Sequence, residues 1–399
     1  MIIRDYPNRV IGFFLFCNPV FDWMTMSGIN PELGGLRLSD FYLITMLVVF
    51  SLYFVLHGIR WVLREPYIMV GLLLLGYRLM VDHLNGVHSF LEFGPRTVFN
   101  IALFALATRV RTRRTNWSLL ALWNLAFALA CALPAMGQSL VTGLRLQSFY
   151  LNPNFLAFNA FHLGMLVVLF PNSNWGRRLA TVISLILIIL SRTRSVLLSS
   201  FWFIGQFVRR RRNLALLAAA LVVTGLYGTE FLRLGHDQGV QTLNGRLQIW
   251  RAIAIHLEHI NWWLGGGSGV DVRLEFMPAW DAVTGRIIGF VKPQNHYLLL
   301  LVESGFVGLL IWWSRILLYL HQLRRQPRDR VNKLVFCYVG SLLTIQLLEN
   351  EIFVNPLVVL IMGLALAKGR ELEREERSAR LAQAELREPV DESVEAVCA

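Results

Sequence analysis

One histidine and three arginines carry the chemistry this sequence could do. His296 stands in Gln294-Asn295-His296-Tyr297, Arg246 in Asn244-Gly245-Arg246-Leu247-Gln248-Ile249-Trp250, and Arg192 and Arg194 in Ser191-Arg192-Thr193-Arg194-Ser195. An imidazole with an ordinary pKa of ~6.5 can take a proton near neutral pH. A guanidinium presents a planar fork suited to phosphate oxygens. Arg246 falls in the first turn of a predicted helix, where a cation opposes the partial positive charge of the helix N-terminus unless an anion belongs beside it. The bland readings are an interfacial histidine bonded to headgroup or water and a solvated arginine. Glu303, two helical turns after His296 on the same face, could orient the helix or pair with a cation.

These residues must be positioned by membrane-spanning helices. The chain has 399 residues, 55% of them hydrophobic and 16% charged, with a mean hydropathy of +0.51, which excludes an ordinary soluble domain. A span needs roughly 20 apolar residues, and about twelve candidate runs follow one another. They cover 10–25, 40–59, 67–82, 96–109, 117–136, 155–171, 176–191, 195–209, 213–229, 295–320, 333–349 and 352–368. The expected fold is therefore all-α and polytopic. Spans one to nine lie within residues 1–229, an outer loop covers 230–294, spans ten to twelve lie within 295–368, and a charged tail covers 369–399.

The cations test this count. Arg4 and Arg9, Arg60 and Arg64, the Arg109–Arg114 cluster, Arg177 and Arg178, Arg209–Arg212, Arg324–Lys333 and Arg370 onward all fall on one face, which predicts both termini in the cytoplasm. The same bias accounts for the net charge of +12 without nucleic acid as a partner. Arg192, Arg194, Arg246 and His296 then sit on the opposite, extracytoplasmic side, against the topology rule. Boundary charges of this kind tend to be functional. Spacing leaves open which of Arg192 and Arg194 matters more.

The outer loop is the one long extracytoplasmic connection, and such loops are usually functional or disordered. Trp250, Ile253, Ala254 and Leu257 form a helical stripe that predicts an amphipathic helix over Asn244 to Ile260. Gly265 to Gly269 read as a flexible turn. Arg78 and Asp82, four residues apart, should neutralise each other. Tyr150 to Asn154 look like the turn before the sixth span, with Asn154 as a cap. Glu371 to Glu388 read as a solvated helix. His256 and His259 have metal-like spacing but no third ligand in a clear position, so no metal is expected. The four scattered cysteines imply neither a disulfide framework nor a metal site. The first apolar run lacks a small-residue cleavage site and reads as a span rather than a removable signal.

Taken in order, these pieces resemble the O-antigen ligase and polymerase superfamily of membrane glycosyltransferases. The likeness rests on the Ser191-Arg192 hairpin, on Asn244-Gly245-Arg246 to Trp250 leading to Gly265–Gly269, on Asn295-His296 followed by Glu303-x-Gly305-x-x-Gly308, and on the Asn152-Pro153-Asn154 turn. It covers roughly residues 150–320, and the second arginine, Arg194, departs from the pattern. The resemblance implies transfer of a glycan from undecaprenyl diphosphate to a hydroxyl at the periplasmic face of a Gram-negative inner membrane, with neither metal nor cofactor. It implies His296 as the base, Arg246 and Arg192 (or Arg194) at the diphosphate, and Asn295, Glu303, Trp250 and Asn154 as further substrate-binding positions. The acceptor would be the lipid A core oligosaccharide for a ligase or a lipid-linked repeat for a polymerase, and a protein-glycosylating relative is a third form. From a different class, a lipid-linked glycan transporter would line a midplane pathway with its charges.

Overall fold

A computed structural model describes residues 5–26, 32–33, 36–87, 90–142, 153–170, 173–191, 193, 195–196, 250, 253, 260–268, 279–280, 287–288, 295–327, 330–346 and 355–385. Ten α-helices can be bounded among them: α1 (Tyr6–Met26), α2 (Leu38–His57), α3 (Pro66–Leu84), α4 (Phe90–Ala107), α5 (Trp117–Thr142), α6 (Pro153–Leu169), α7 (Asn174–Ser191), α8 (His296–Arg325), α9 (Arg330–Ile345) and α10 (Pro356–Glu385). Two-residue antiparallel ladders, β1 (Glu32–Leu33) with β2 (Leu36–Arg37) and β3 (Ala279–Trp280) with β4 (Ile287–Ile288), are the extended pairs among the described residues.

Among the described residues, four stretches are long and apolar enough to cross a bilayer: Pro66–Leu84, Trp117–Gly137, Asn174–Ser191 and His296–Arg325. The outward faces are greasy as well. On α7, Ala180, Ile183, Leu187 and Ile188 are buried, while Val182, Leu185 and Ile189 face out at helical spacing. On α1 the same split sets Ile11, Phe14 and Leu15 inside and Phe13 and Phe16 outside. Water would penalise such a surface, whereas hydrocarbon does not. The chain is a polytopic membrane protein. The expected span 213–229 and all but the first two residues of 195–209 lie outside the described residues, as do most of the loop 230–293 and the tail beyond residue 385.

The centre is made of helices that are apolar all round, the pattern of a buried element. Every residue of 101–108 in and just beyond α4 is buried, and so is every residue of 357–367 in α10. These two helices run side by side, and Gly363 lets them close. A Cβ there would lie 2.6 Å from the Ala107 Cβ and 3.0 Å from the Phe104 carbonyl oxygen. Around them α6 packs on α7, α5 on α7, and α3 on α8.

At the end where α10 runs on past the bundle, charges tie the helices together. The Glu371 carboxylate accepts from the Thr112 backbone N–H (2.7 Å) and its hydroxyl (2.5 Å). Arg370 pairs with the buried Glu65 just before α3, and Arg114 reaches Asp5 at 2.5 Å. Beyond residue 372 the helix is exposed as far as its side chains are described, as expected for a solvated tail helix.

Candidate functional site

The decisive local feature lies within α8. Gly305 has φ +61° and ψ −170°, outside the helical region and favourable only for glycine. The rings on either side measure the consequence. The His296 and Trp312 centroids lie 5.5 Å apart, and Tyr297 stacks on Trp313 at 5.7 Å. Each pair is sixteen residues apart, which a straight helix would place about 24 Å apart along its axis. The two halves therefore fold back on each other at Gly305. Residues 306–325 form a helix about 30 Å long, enough for a span by itself. Residues 296–304 form a second, shorter helix running the other way. The expected single span over 295–320 is thus a V, with His296 at the foot of the short arm and Glu303 near the apex.

A chain reversal in a membrane exposes helix ends, whose backbone groups cannot turn to water. The segment 262–267 satisfies both ends at once. Phe306 N–H donates to the Trp262 carbonyl (2.8 Å) and Val307 N–H to the Trp263 carbonyl (3.2 Å). In exchange, Gly266 N–H donates to the Val302 carbonyl (2.8 Å) and Gly267 N–H to the Glu303 carbonyl (3.0 Å). In a continuous helix, Phe306 and Val307 would have bonded those two carbonyls themselves. The approach requires bare backbone. A Cβ on Gly265 (φ +86°) would lie 2.5 Å from the Gly305 nitrogen and 2.6 Å from the Glu303 carbonyl oxygen. Gly265 to Ser268 are consequently a fixed clasp, which corrects the expected flexible turn. Two glycine-bearing segments meet backbone to backbone and leave no slack.

Side chains from α3 fasten the clasp. The Arg78 guanidinium pairs with Glu303 at 2.5 Å and donates to the Ser268 hydroxyl at 3.1 Å. Asp82 accepts the Ser268 backbone N–H at 2.5 Å. The Tyr77 hydroxyl donates to the Leu264 carbonyl at 3.2 Å, and Asn85 reaches the Gly265 carbonyl at 3.4 Å. Arg78 and Asp82 were expected to neutralise each other along one helix face; instead both are committed across elements to the clasp. Of the two roles open to Glu303, pairing with a cation is the one observed.

His296 is buried at the first position of the short arm. Asn295, also buried, caps that helix by accepting from the Tyr297 N–H (3.0 Å) and the Leu298 N–H (3.1 Å). The His296 backbone N–H donates to the carbonyl of Gln346, just past α9, at 2.9 Å. The Tyr297 hydroxyl donates to Leu343 at 2.9 Å. The backbone that carries the imidazole is thus held by the Asn295 cap and by the end of α9, and Trp312 of the long arm packs against the ring. Gln346 is the residue that sequence reading missed. It lay inside the expected span 333–349 with no role assigned to it.

The remaining expected positions divide. Asn154 is the second residue of α6, because the helix starts at Pro153, a favoured first position. It does not cap that helix; its Oδ1 accepts from the Thr193 hydroxyl at 3.3 Å. Ser191 and Thr193 are buried and linked to each other at 3.2 Å, and Thr193 is tied to α6 through Asn154. Arg192 and Arg194 themselves lie outside the described residues, as do Arg246 and the pair His256 and His259. Trp250 is helical and half-buried, and Ile253 is helical and fully buried, in keeping with the predicted stripe.

Residues 179–313 match the family model described as O-antigen ligase. The match includes α7 from Leu179 onward, the clasp and the V of α8 as far as Trp313. No curated protein matches the chain. The match supports a glycosyltransferase-like activity of the ligase or polymerase type. The α3 residues that hold the clasp, Arg78 and Asp82, lie before the matched segment.

Proposed function

We propose that this protein is an O-antigen ligase that moves a glycan from undecaprenyl diphosphate to a sugar hydroxyl of the lipid A core at the periplasmic face of the inner membrane. The reading is carried by one observation: within the segment that matches the O-antigen ligase family model, a buried imidazole stands at the capped foot of the folded-back arm. His296 accepts the proton of the acceptor hydroxyl as that oxygen forms its bond to the anomeric carbon. The bond from the anomeric carbon to the diphosphate oxygen breaks, and the electron pair leaves with the diphosphate. Attack opposite the leaving group inverts the anomeric centre. Arg246, with Arg192 or Arg194, binds the diphosphate and offsets the charge it gains. Asn295 fixes the arm that carries the base, Glu303 ties it to α3, and Trp250 and Asn154 belong to the substrate walls. The partners are the lipid-linked donor, the core acceptor and the surrounding lipid, both termini are cytoplasmic, and the transfer uses no metal or cofactor.

Reconstituted protein supplied with an undecaprenyl-diphosphate oligosaccharide and purified lipid A core tests this. Attachment of the glycan to the core, unaffected by chelator, is the expected result. Joining of lipid-linked repeats instead would make it a polymerase with the same chemistry. Translocation of the lipid without bond formation would make it a transporter.

A further inference from the structure

Gln346, whose backbone holds the first residue of the short arm, carries a buried amide with no hydrogen-bond partner among the described residues. Its side chain is 0% exposed, and neither Oε1 nor Nε2 has a hydrogen-bond partner among the described residues. Its backbone carbonyl nevertheless bonds the His296 N–H at 2.9 Å, so the residue is locked to the first peptide of the short arm. Buried polar groups in native proteins are bonded almost without exception, and each orphan calls for a cause. Removing such a group from the chain would relieve a penalty unless something absent from the folded protein alone completes it.

We propose that Gln346 binds the acceptor sugar, hydrogen-bonding hydroxyls next to the one that His296 deprotonates. This rests on the functional reading above and names a residue that reading does not use. The chemistry of the amide selects the ligand class. Oε1 only accepts and Nε2 only donates. A diphosphate would engage Nε2 and leave Oε1 unbonded. A sugar hydroxyl both donates and accepts, so neighbouring hydroxyls of one ring complete the two ends of the amide together. The short arm provides a second argument. Its N-terminal amides are already capped by the Asn295 side chain, so that end of the helix is not left open for an anion. A neutral, hydroxyl-rich group therefore fits beside His296, and the anionic part of the donor belongs to the arginines.

The test separates a reader of substrate from a part of the scaffold. Gln346→Leu and Gln346→Met each remove the amide at similar volume. Both should melt at or above the wild-type temperature, because an unbonded buried amide is lost. Both should also lose roughly ten- to hundredfold in kcat/KM for the acceptor, mainly through KM, with the donor KM unchanged. Purified core oligosaccharide should raise the melting temperature of the wild type and not of either variant. A lower melting temperature in both variants, or wild-type transfer in either, overturns the assignment. If the wild type transfers to neither lipid A core nor lipid-linked repeats, the functional reading fails, and this proposal with it. If the wild type transfers and the variants match it, this proposal alone is overturned.

Discussion

The two ends of the bundle handle polarity in opposite ways. Where α10 emerges, carboxylates close on donors from other helices: Glu65 on Arg370, Glu371 on Thr112, and Asp5 on Arg114. Each pair joins parts of the chain far apart in sequence, and the helices between them are regular. At the Gly305 end the same kinds of group serve a chain that breaks regularity. A helix turns back on itself, and a loop takes over its backbone bonds. The first end has the composition of a fastening. The second holds a strained geometry, which costs stability and persists where a substrate needs it. If the contrast is real, substitutions at one end should alter stability alone, and substitutions at the other should alter transfer first.

The largest expected effect is at His296. His296→Ala removes the proton acceptor while keeping the Asn295 cap and the backbone bond to Gln346, so transfer should fall by about 10²–10⁴-fold or more. Insertion and melting temperature should stay close to wild type, and donor binding should persist. A transfer assay beside a thermal melt measures both. Transfer at the wild-type rate would remove His296 from the chemistry and the contrast between the two ends with it.

Next comes the apex. Gly305→Ala places a Cβ against the Trp263 carbonyl in a backbone region that side chains avoid. Strain of about 1–3 kcal/mol is expected, and the clasp must shift to relieve it. Transfer should fall more than stability does, because His296 reaches Trp312 only while the V stays closed. Hydrogen exchange at the Gly266 and Gly267 amides would report the opening directly. Unchanged protection together with lost activity would show that the clasp is not what positions the arm.

Much of this molecule could be read from its sequence, for reasons that also explain what could not. Apolar runs located the helices because a span must hide its backbone over a fixed length. The tail helix and the Trp250–Ile253 stripe followed from spacing along one chain segment. The fold-back at Gly305 has no such local trace. Hydrophobicity continues from Leu298 through Leu310, with Leu300, Gly308, Trp312 and Ile316 all buried, so periodicity predicts one long helix. What breaks it is a partner forty residues earlier, whose glycines read as a loose turn when considered alone. Arg78 was misjudged for a similar reason. Its near neighbour Asp82 was visible, whereas Glu303 and Ser268 are brought to it by the packing of α3 on α8. Gln346 stood out only once its environment was known, since an amide is ordinary until both of its ends are buried.

A third change weakens the clasp without removing any group near His296. Arg78→Gln removes the guanidinium that pairs with Glu303 at 2.5 Å, and the Arg78 side chain is only 20% exposed. With partial access to solvent, the loss should be about 1–3 kcal/mol rather than the full cost of a wholly buried pair. Transfer should drop severalfold through kcat. Exchanging the charges as Arg78→Glu with Glu303→Arg should restore part of both, because the pair joins two helices whichever way it points. Failure of the exchange to recover any activity over Arg78→Glu alone would mean that the cation, not the pairing, is required.

The smallest effect belongs at the opposite end. Thr112→Val removes the hydroxyl that donates to Glu371 but keeps the backbone N–H bond to the same carboxylate. One hydrogen bond to a charged group is lost, which should cost about 1–2 kcal/mol of stability, moderated by the water that already reaches Glu371. Acceptor and donor KM and kcat should all remain at wild-type values, since no contact of the V or the clasp passes through Thr112. A change in KM or kcat at this distance, without unfolding, would mean that the two ends are mechanically coupled through α10. The division between a fastening end and a working end would then have to be replaced by a single bundle whose halves move together.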